Sequence, residues 1–503
     1  MTVFNQRLML DTNNTFQLIS KCWDKCDVNN WNFHDTNLWP LIMRTMILQE
    51  DSPSSAKIPK LKPAKASNHF DEELIQKSIE NLSKINDADV VFFERIQDYT
   101  VKIDNLHYNK DIDPYFEEIS KSYKAAKLQV GPLDSKVETY YDYCIFDRSS
   151  FKRRFFQITE KQFFDEIAKF IEVVCQEISE KLSYFINKLY LESYIVEFYA
   201  NNYLMRCLFK HISPRAIFLS CYYDPIQFGL INNCHLNNII SVELQHGSQG
   251  INPMYQGWKK IPKNGYPLLP NYFWCWNKIF VQKIMEGRGK SARKHLPIEG
   301  GNLWLNKEIS LEKHIQVTYS ASIRKQLDSS NIIILIGLQW NSDDKSSFEG
   351  CIPEWLENEI SNSKSPKWLV RLHPAQYPHK ENFRKYLQKK KINILDFEQS
   401  TNLPLYEAIK HSTHFISCWS SSSYEAAALG KCSAVVDKRG KKTFSKFIDE
   451  GLIHFLRNKN DLKKFLENSP TKKFPKKLYV NPQTRQKNIE QILQNKMVLQ
   501  ASL

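Results

Sequence analysis

The stretch Thr413–Asp437, THFISCWSSSSYEAAALGKCSAVVD, reads as one strand–turn–helix–strand unit. His414 to Cys418 is a short apolar run of strand type, and Ser433 to Val436 is a second. Between them Ser420, Ser421, Ser422 and Ser423 form a small hydroxyl-rich turn. Tyr424 to Leu429 is then dense in helix formers until Gly430 stops it. A serine turn opening a helix offers backbone N–H groups and hydroxyls to an anion, and the helix dipole favours negative charge there. Glu425, in the first turn, is placed to accept hydrogen bonds from a ribose. An ordinary capped helix in a parallel sheet carries the same signature, because serine is a common N-cap.

Outward from this unit, further strand-like runs at Ile332–Gly337, Trp368–Leu372 and Ile392–Leu395 alternate with helical patterns, which predicts a parallel sheet. A separate series lies upstream. Asp89–Arg95, Ala216–Ser220 and Ile239–Leu244 are strand-like, and Asp224–Cys234 is helical. Two long helices, Lys161–Asn187 and Leu191–His211, fall within that series; Phe163, Ile167, Phe170, Ile171, Val174 and Ile178 give the first its apolar stripe. The expected fold class is α/β, with two facing Rossmann-type domains and extra N-terminal helices. The expected boundaries are a helical segment and linker over 1–70, a first domain over 71–300, a second over 301–460 and a basic helical tail over 461–503. The Pro/Ser/Lys run Asp51–Ser67 reads as an exposed linker, and Gly300-Gly301 as a hinge or crossover.

The chain has 503 residues, 42% of them hydrophobic, enough for two to four domains with sizeable cores. Nothing approaches the roughly 20 consecutive apolar residues of a membrane span. The start, MTVFNQRLMLDT, lacks the charged beginning and apolar core of a signal peptide. The 11 cysteines are scattered and odd in number, which reads as reduced thiols in a cytosolic protein. Net charge is +14, with local clusters at Lys389-Lys390-Lys391, at Lys438, Arg439, Lys441 and Lys442, and at Lys472, Lys473, Lys476 and Lys477. Such charge suits nucleic acid, an anionic membrane face or phosphorylated substrates. No zinc-finger, RNA-recognition or helix-turn-helix pattern supports nucleic acid.

Candidate site residues gather at strand ends, where open α/β sheets place ligand groups. Arg371-Leu372-His373-Pro374 follows a strand of the second series, and both Arg371 and His373 can reach a phosphate. Gln245-His246-Gly247 follows a strand of the first series, and a histidine there can act as a base near neutral pH. Glu94 and Asp224, also near strand ends, are alternative bases. Each histidine alone is also readable as a hydrogen-bonded turn residue. Gly289-Lys290-Ser291 imitates the end of a P-loop, but Ile284 occupies the required first glycine. His411 and His414 have no partner pattern for a metal, and no GxSxG, HExxH or GxGxxG is present.

Taken together, VELQHG, EGGNLWL, RLHP and SSSSYEAAALGK resemble bacterial surface-polysaccharide glycosyltransferases of the GT-B fold, the capsule and lipopolysaccharide group. His373-Pro374 and the serine run are similar to motifs of the sialyl-, polysialyl- and Kdo-transferases, which use CMP-sugars. His246-Gly247 with Arg371-x-His373 looks like the teichoic acid glycerophosphate polymerases, which use CDP-glycerol.

The resemblance implies a metal-independent transferase with no cofactor, whose nucleotide-activated sugar is a substrate. The acceptor is expected to be a glycan or lipid-linked chain. The implied location is cytoplasmic, peripheral on the anionic inner face of the cytoplasmic membrane, with no nucleic acid bound. His246 would be the base, and Arg371, His373, Ser420, Ser421, Ser422 and Glu425 would hold the donor. The alternatives are a CDP-glycerol or CDP-ribitol phosphotransferase, a nucleotide-sugar epimerase, and a non-catalytic nucleic-acid-binding or scaffold protein.

Overall fold

The computed structural model describes residues 12–51, 69–95, 98–99, 101–133, 137–249, 252–288, 294–310, 318–339, 346–362, 365–467 and 480–494. The expected linker, apart from Asp51, and the lysines at 472, 473, 476 and 477 lie outside the described residues. The chain divides into two compact units. The first comprises Asn13–His246, Asn252–Trp304 and Val480–Leu503; the second comprises Met1–Thr12, Gly247–Ile251 and Leu305–Tyr479.

The first unit is built on seven parallel strands: β1 Val90–Glu94, β2 Ala125–Val130, β3 Cys144–Phe146, β4 Ala216–Ser220, β5 Ile240–Leu244, β6 Tyr272–Cys275 and β7 Leu296–Glu299. Their order is β7-β6-β5-β4-β1-β2-β3. The chain builds to one side from β1 and then crosses back to β4, so the switch point of this Rossmann-ordered sheet lies between β1 and β4. VVFFE, AIFLS and ISVEL are buried throughout, as parallel strands covered on both faces must be. The crossing is made through helices Lys161–Leu182 and Lys188–Leu208, and Ile167, Ile171, Val174 and Ile178 form the buried stripe of the first.

Two expectations are corrected here. The N-terminal helices are not a separate segment. Leu41, Ile42, Met43 and Met46 of helix Trp39–Asp51 are fully buried, and Trp23 packs edge-on against Trp39 and Trp258 within the first unit. A helix this apolar needs a core to cover it. The C-terminal tail likewise returns to the first unit. Ile489, Ile492 and Leu493 of helix Pro482–Gln494 share a core with Val90, Phe92, Phe218 and Trp274, and Arg485 pairs with Glu118 at 2.9 Å. Gly300 is tightly packed, since a Cβ there would lie 1.8 Å from the Trp274 ring, and the first unit runs on to Trp304, just beyond the expected Gly300-Gly301 hinge or crossover.

The second unit has five parallel strands: β8 Ile333–Gly337, β9 Lys367–Arg371, β10 His414–Ser417, β11 Cys432–Val435 and β12 His454–Phe455. The order is β9-β8-β10-β11-β12, which puts the switch point between β8 and β10. The expected strand at Ile392–Leu395 is reduced to one parallel bridge, Leu369 with Asp396. Asp396 turns the chain there by accepting from the Ser400 N–H at 2.7 Å and the Ser400 hydroxyl at 2.8 Å, which starts helix Glu398–Asn402. Among the described residues no helix is long and apolar enough to cross a membrane.

Candidate functional site

The carboxyl end of the first sheet is loaded with buried charge. Glu94, the last residue of β1, is fully enclosed, and so is Lys127 of β2. Lys127 Nζ lies 2.6 Å from Asp113 and 3.3 Å from Glu94. Tyr99 donates its hydroxyl to Glu94, and Asn109 donates its side-chain amide to Glu94 at 3.3 Å and its backbone N–H to Asp113 at 2.8 Å. Burial pushes the Glu94 carboxyl up to about 7, against the pull of Lys127, and burial also raises Asp113. The motif search missed this cluster. Its signal was AAKLQV: a lysine inside a strand of a parallel sheet needs a buried counter-charge.

Asp224 stands across the switch point from Glu94, at the start of helix Pro225–Leu236. One of its oxygens meets Arg95 at 3.2 Å and the other meets Arg44 at 3.8 Å. Arg95 also pairs with Asp98 at 2.9 Å, and the Arg44 guanidinium sits 4.7 Å over the Tyr223 ring. Both Asp224 oxygens are therefore committed to guanidinium contacts.

His246 sits two residues past β5, and its side chain is 27% exposed. Its turn is clamped by Gln245, which accepts from the Trp276 N–H at 2.8 Å through its side chain and from the Trp276 indole at 2.9 Å through its carbonyl. The His246 Nδ1 is buried and, among the described residues, has no hydrogen-bond partner. It lies 3.8 Å from Glu243, a fully buried residue of β5. Burial pushes the Glu243 carboxyl up to about 7, opposed by His246 and by the donated Tyr255 hydroxyl. Of the three expected bases, Glu94 is enclosed and Asp224 is ion-paired. His246 keeps an exposed edge, as does Asp224, whose side chain is 35% exposed.

The carboxyl end of the second sheet is organised by hydroxyls and backbone. Arg371 ends β9, and its Nη1 donates to the carbonyls of Ser400 and Leu403, both at 2.6 Å, which clasps the end of helix Glu398–Asn402. His373 caps the 3₁₀ turn Pro374–His379. Its Nδ1 accepts from the Ala375 N–H at 3.1 Å, so a neutral ring carries its proton on Nε2 and is a donor there.

Ser417 at the end of β10, Ser423 after it and Ser433 on β11 form a buried inner set: Ser417 and Ser423 share a 2.8 Å hydrogen bond, and Ser433 donates to the Ser423 carbonyl at 2.8 Å. Ser420, Ser421 and Ser422 are the half-buried outer set. The N–H groups of Ser420 and Ser422 are taken by serine hydroxyls, at 3.1 and 3.2 Å. Trp419 donates its N–H to Gln339 at 2.7 Å, across the β8–β10 switch point. Glu425 is buried in the first turn of helix Ser422–Ala428. The structure thus brings Glu94, Asp224 and His246 to one sheet end, and Arg371, His373, the serine turn and Glu425 to the other.

No family model and no curated protein sequence matches the chain. It is similar to the solved UDP-GlcNAc 2-epimerase of Methanocaldococcus jannaschii in complex with UDP-GlcNAc and UDP, with 14% identity over 80% of this chain and 99% of that chain and a TM-score of 0.46. The UDP-GlcNAc 2-epimerase of Neisseria meningitidis bound to UDP-GlcNAc gives 14% identity, 81% and 99% coverage and a TM-score of 0.44. The wall teichoic acid polymerase TagF gives 10% identity, 87% and 100% coverage and a TM-score of 0.35. Likeness at this level says nothing of activity or substrate.

Proposed function

We propose that the chain is a GT-B glycosyltransferase of bacterial surface-polysaccharide synthesis. It transfers a sugar from a nucleotide-activated donor to a glycan or lipid-linked acceptor, with no metal in the step. The observation that carries this reading is the donor tautomer of His373, set by its bond from Ala375, just past β9 in a doubly wound parallel sheet. An imidazole N–H there is suited to a phosphate oxygen. The serine turn after β10 adds hydroxyls, and the clasped Arg371 adds positive charge. Such fixed donors stabilise a leaving phosphate. Glu425 accepts the ribose hydroxyls, and His246 of the first unit takes the acceptor proton.

The CDP-polyol phosphotransferase reading uses the same second-unit residues and differs in the group transferred. It is favoured by the pairing of His246-Gly247 with Arg371-x-His373. A thermal-shift panel of CMP, CDP, UDP and GDP tests both. A cytidine nucleotide at 100 times its Kd should stabilise the fold by about 2.7 kcal/mol. No response to any of the four, with nucleic-acid binding of steep salt dependence, would establish the non-catalytic alternative instead.

A further inference from the structure

Glu243 sits inside VELQHG, three residues before His246. It lies on β5 with no exposed surface, surrounded by Tyr222, Tyr223, Tyr255, Cys221 and Cys275. Tyr255 donates to one carboxyl oxygen, and the Tyr222 backbone N–H also donates to the carboxyl. The same oxygen that accepts from Tyr255 faces the buried, unpartnered Nδ1 of His246 at 3.8 Å. That separation is too long for a hydrogen bond, and a small rotation of the half-exposed ring closes it.

We propose that Glu243 is the positioning residue of His246: its carboxylate holds the imidazole with the proton on Nδ1 and leaves the Nε2 lone pair as the base. The inference rests on the reading of His246 as the acceptor-side base. In the step, the acceptor oxygen bonds to the anomeric carbon as that carbon's bond to the phosphate oxygen breaks. The bonding pair leaves with the nucleotide, and the hydroxyl proton passes to Nε2. The resulting imidazolium then faces the Glu243 carboxylate through Nδ1–H. Asp111 is the competing partner, since its carboxyl also interacts with His246.

The test is a two-bond ¹⁵N–¹H correlation spectrum of the full chain labelled with ¹⁵N-histidine. It is recorded at about pH 8.5, above the usual titration range of carboxyl and imidazole. His246→Gln assigns the signal. The expected spectrum has Nδ1 protonated and Nε2 bare in the wild type and in Asp111→Asn. In Glu243→Gln, whose amide enforces neither tautomer, the Nε2–H form should appear. Transfer by that variant should fall about 10²–10⁴-fold with its affinity for CDP unchanged.

A wild-type ring protonated on Nε2 overturns the proposal, and so does a Glu243→Gln ring that keeps Nδ1–H. If Glu243→Gln does not fold, Asp111→Asn decides, because loss of Nδ1–H there assigns the role to Asp111. A normal turnover by His246→Gln, with Nδ1–H in the wild type, fails the base reading and leaves the Glu243 contact standing.

Discussion

The carboxyl ends of the two sheets use opposite chemistries. In the first unit, Glu94, Lys127, Asp113 and Glu243 are enclosed ionisable groups on or beside strands. In the second, the inner serines 417, 423 and 433 satisfy one another, and Arg371 spends its Nη1 on backbone carbonyls. Buried carboxyls raised towards neutrality exchange protons near physiological pH. Neutral hydroxyls and a fixed imidazole N–H stay put and present hydrogen-bond donors to an anion. The proposed division, proton transfer in the first unit and donor binding in the second, rests on this difference.

The sharpest way to break that division is His246→Ala. Transfer should slow by about 10²–10⁴-fold, or about 3–5 kcal/mol, with the affinity for CDP retained. A folded variant with normal turnover would move the base elsewhere.

Within the first unit, Asp113→Asn and Glu94→Gln should differ. The first leaves Lys127 without its closer counter-charge and should cost about 3–5 kcal/mol in urea unfolding at neutral pH. The second replaces a carboxyl raised to about 7, so only about half ionised at that pH, and it should cost less, about 1.5 kcal/mol. The sign with pH follows from a folded value near 7 against an ordinary 4.5. Stability from the protonated Glu94 is fully present below the ordinary value and is lost as pH rises through 7. The wild type should therefore lose ground to Glu94→Gln between acid and mildly alkaline pH. A gap that widens over that range would contradict the assignment of the proton to Glu94.

In the second unit, Glu425→Ala should weaken CDP binding by about 1.5–3 kcal/mol, the range for a hydrogen bond to a charged group. Unchanged affinity in a folded variant would leave Glu425 as part of a capped helix. The smallest effect concerns the proposed membrane face. Both described clusters are partly paired, Lys389 and Lys390 with Glu349 at 2.7 and 3.3 Å and Arg439 with Asp437 at 2.9 Å; Lys441 and Lys442 of the second cluster are the positions to test. Each of Lys441→Glu and Lys442→Glu should cost about 1 kcal/mol in sedimentation with phosphatidylserine vesicles. Equal binding to neutral vesicles would argue against it.

Strands were legible in the sequence where burial is continuous, as in VVFFE, AIFLS and IILIG. β2 was hidden by Lys127 and Gln129, β3 by its shortness and β7 by Pro297, because each owes its strand state to its neighbours in the sheet. The docking of the N- and C-terminal helices was equally hidden: an apolar stripe announces that it needs a partner and does not say which. Motif residues at strand ends were legible because strand and turn are local. The Lys127–Asp113–Glu94 cluster and the Glu243–His246 contact depend on which strand lies beside which. The clasp of Arg371 on Ser400 and Leu403 depends on the failure of Ile392–Leu395 to become a strand.

The division between the units is tested most directly by hydrogen exchange of the full chain with and without CDP. The largest protection should fall on peptides covering Arg371–His373 and Ser420–Glu425, with little change at Ile240–His246. Protection centred on Ile240–His246, or none at the serine turn under saturating CDP, would contradict it.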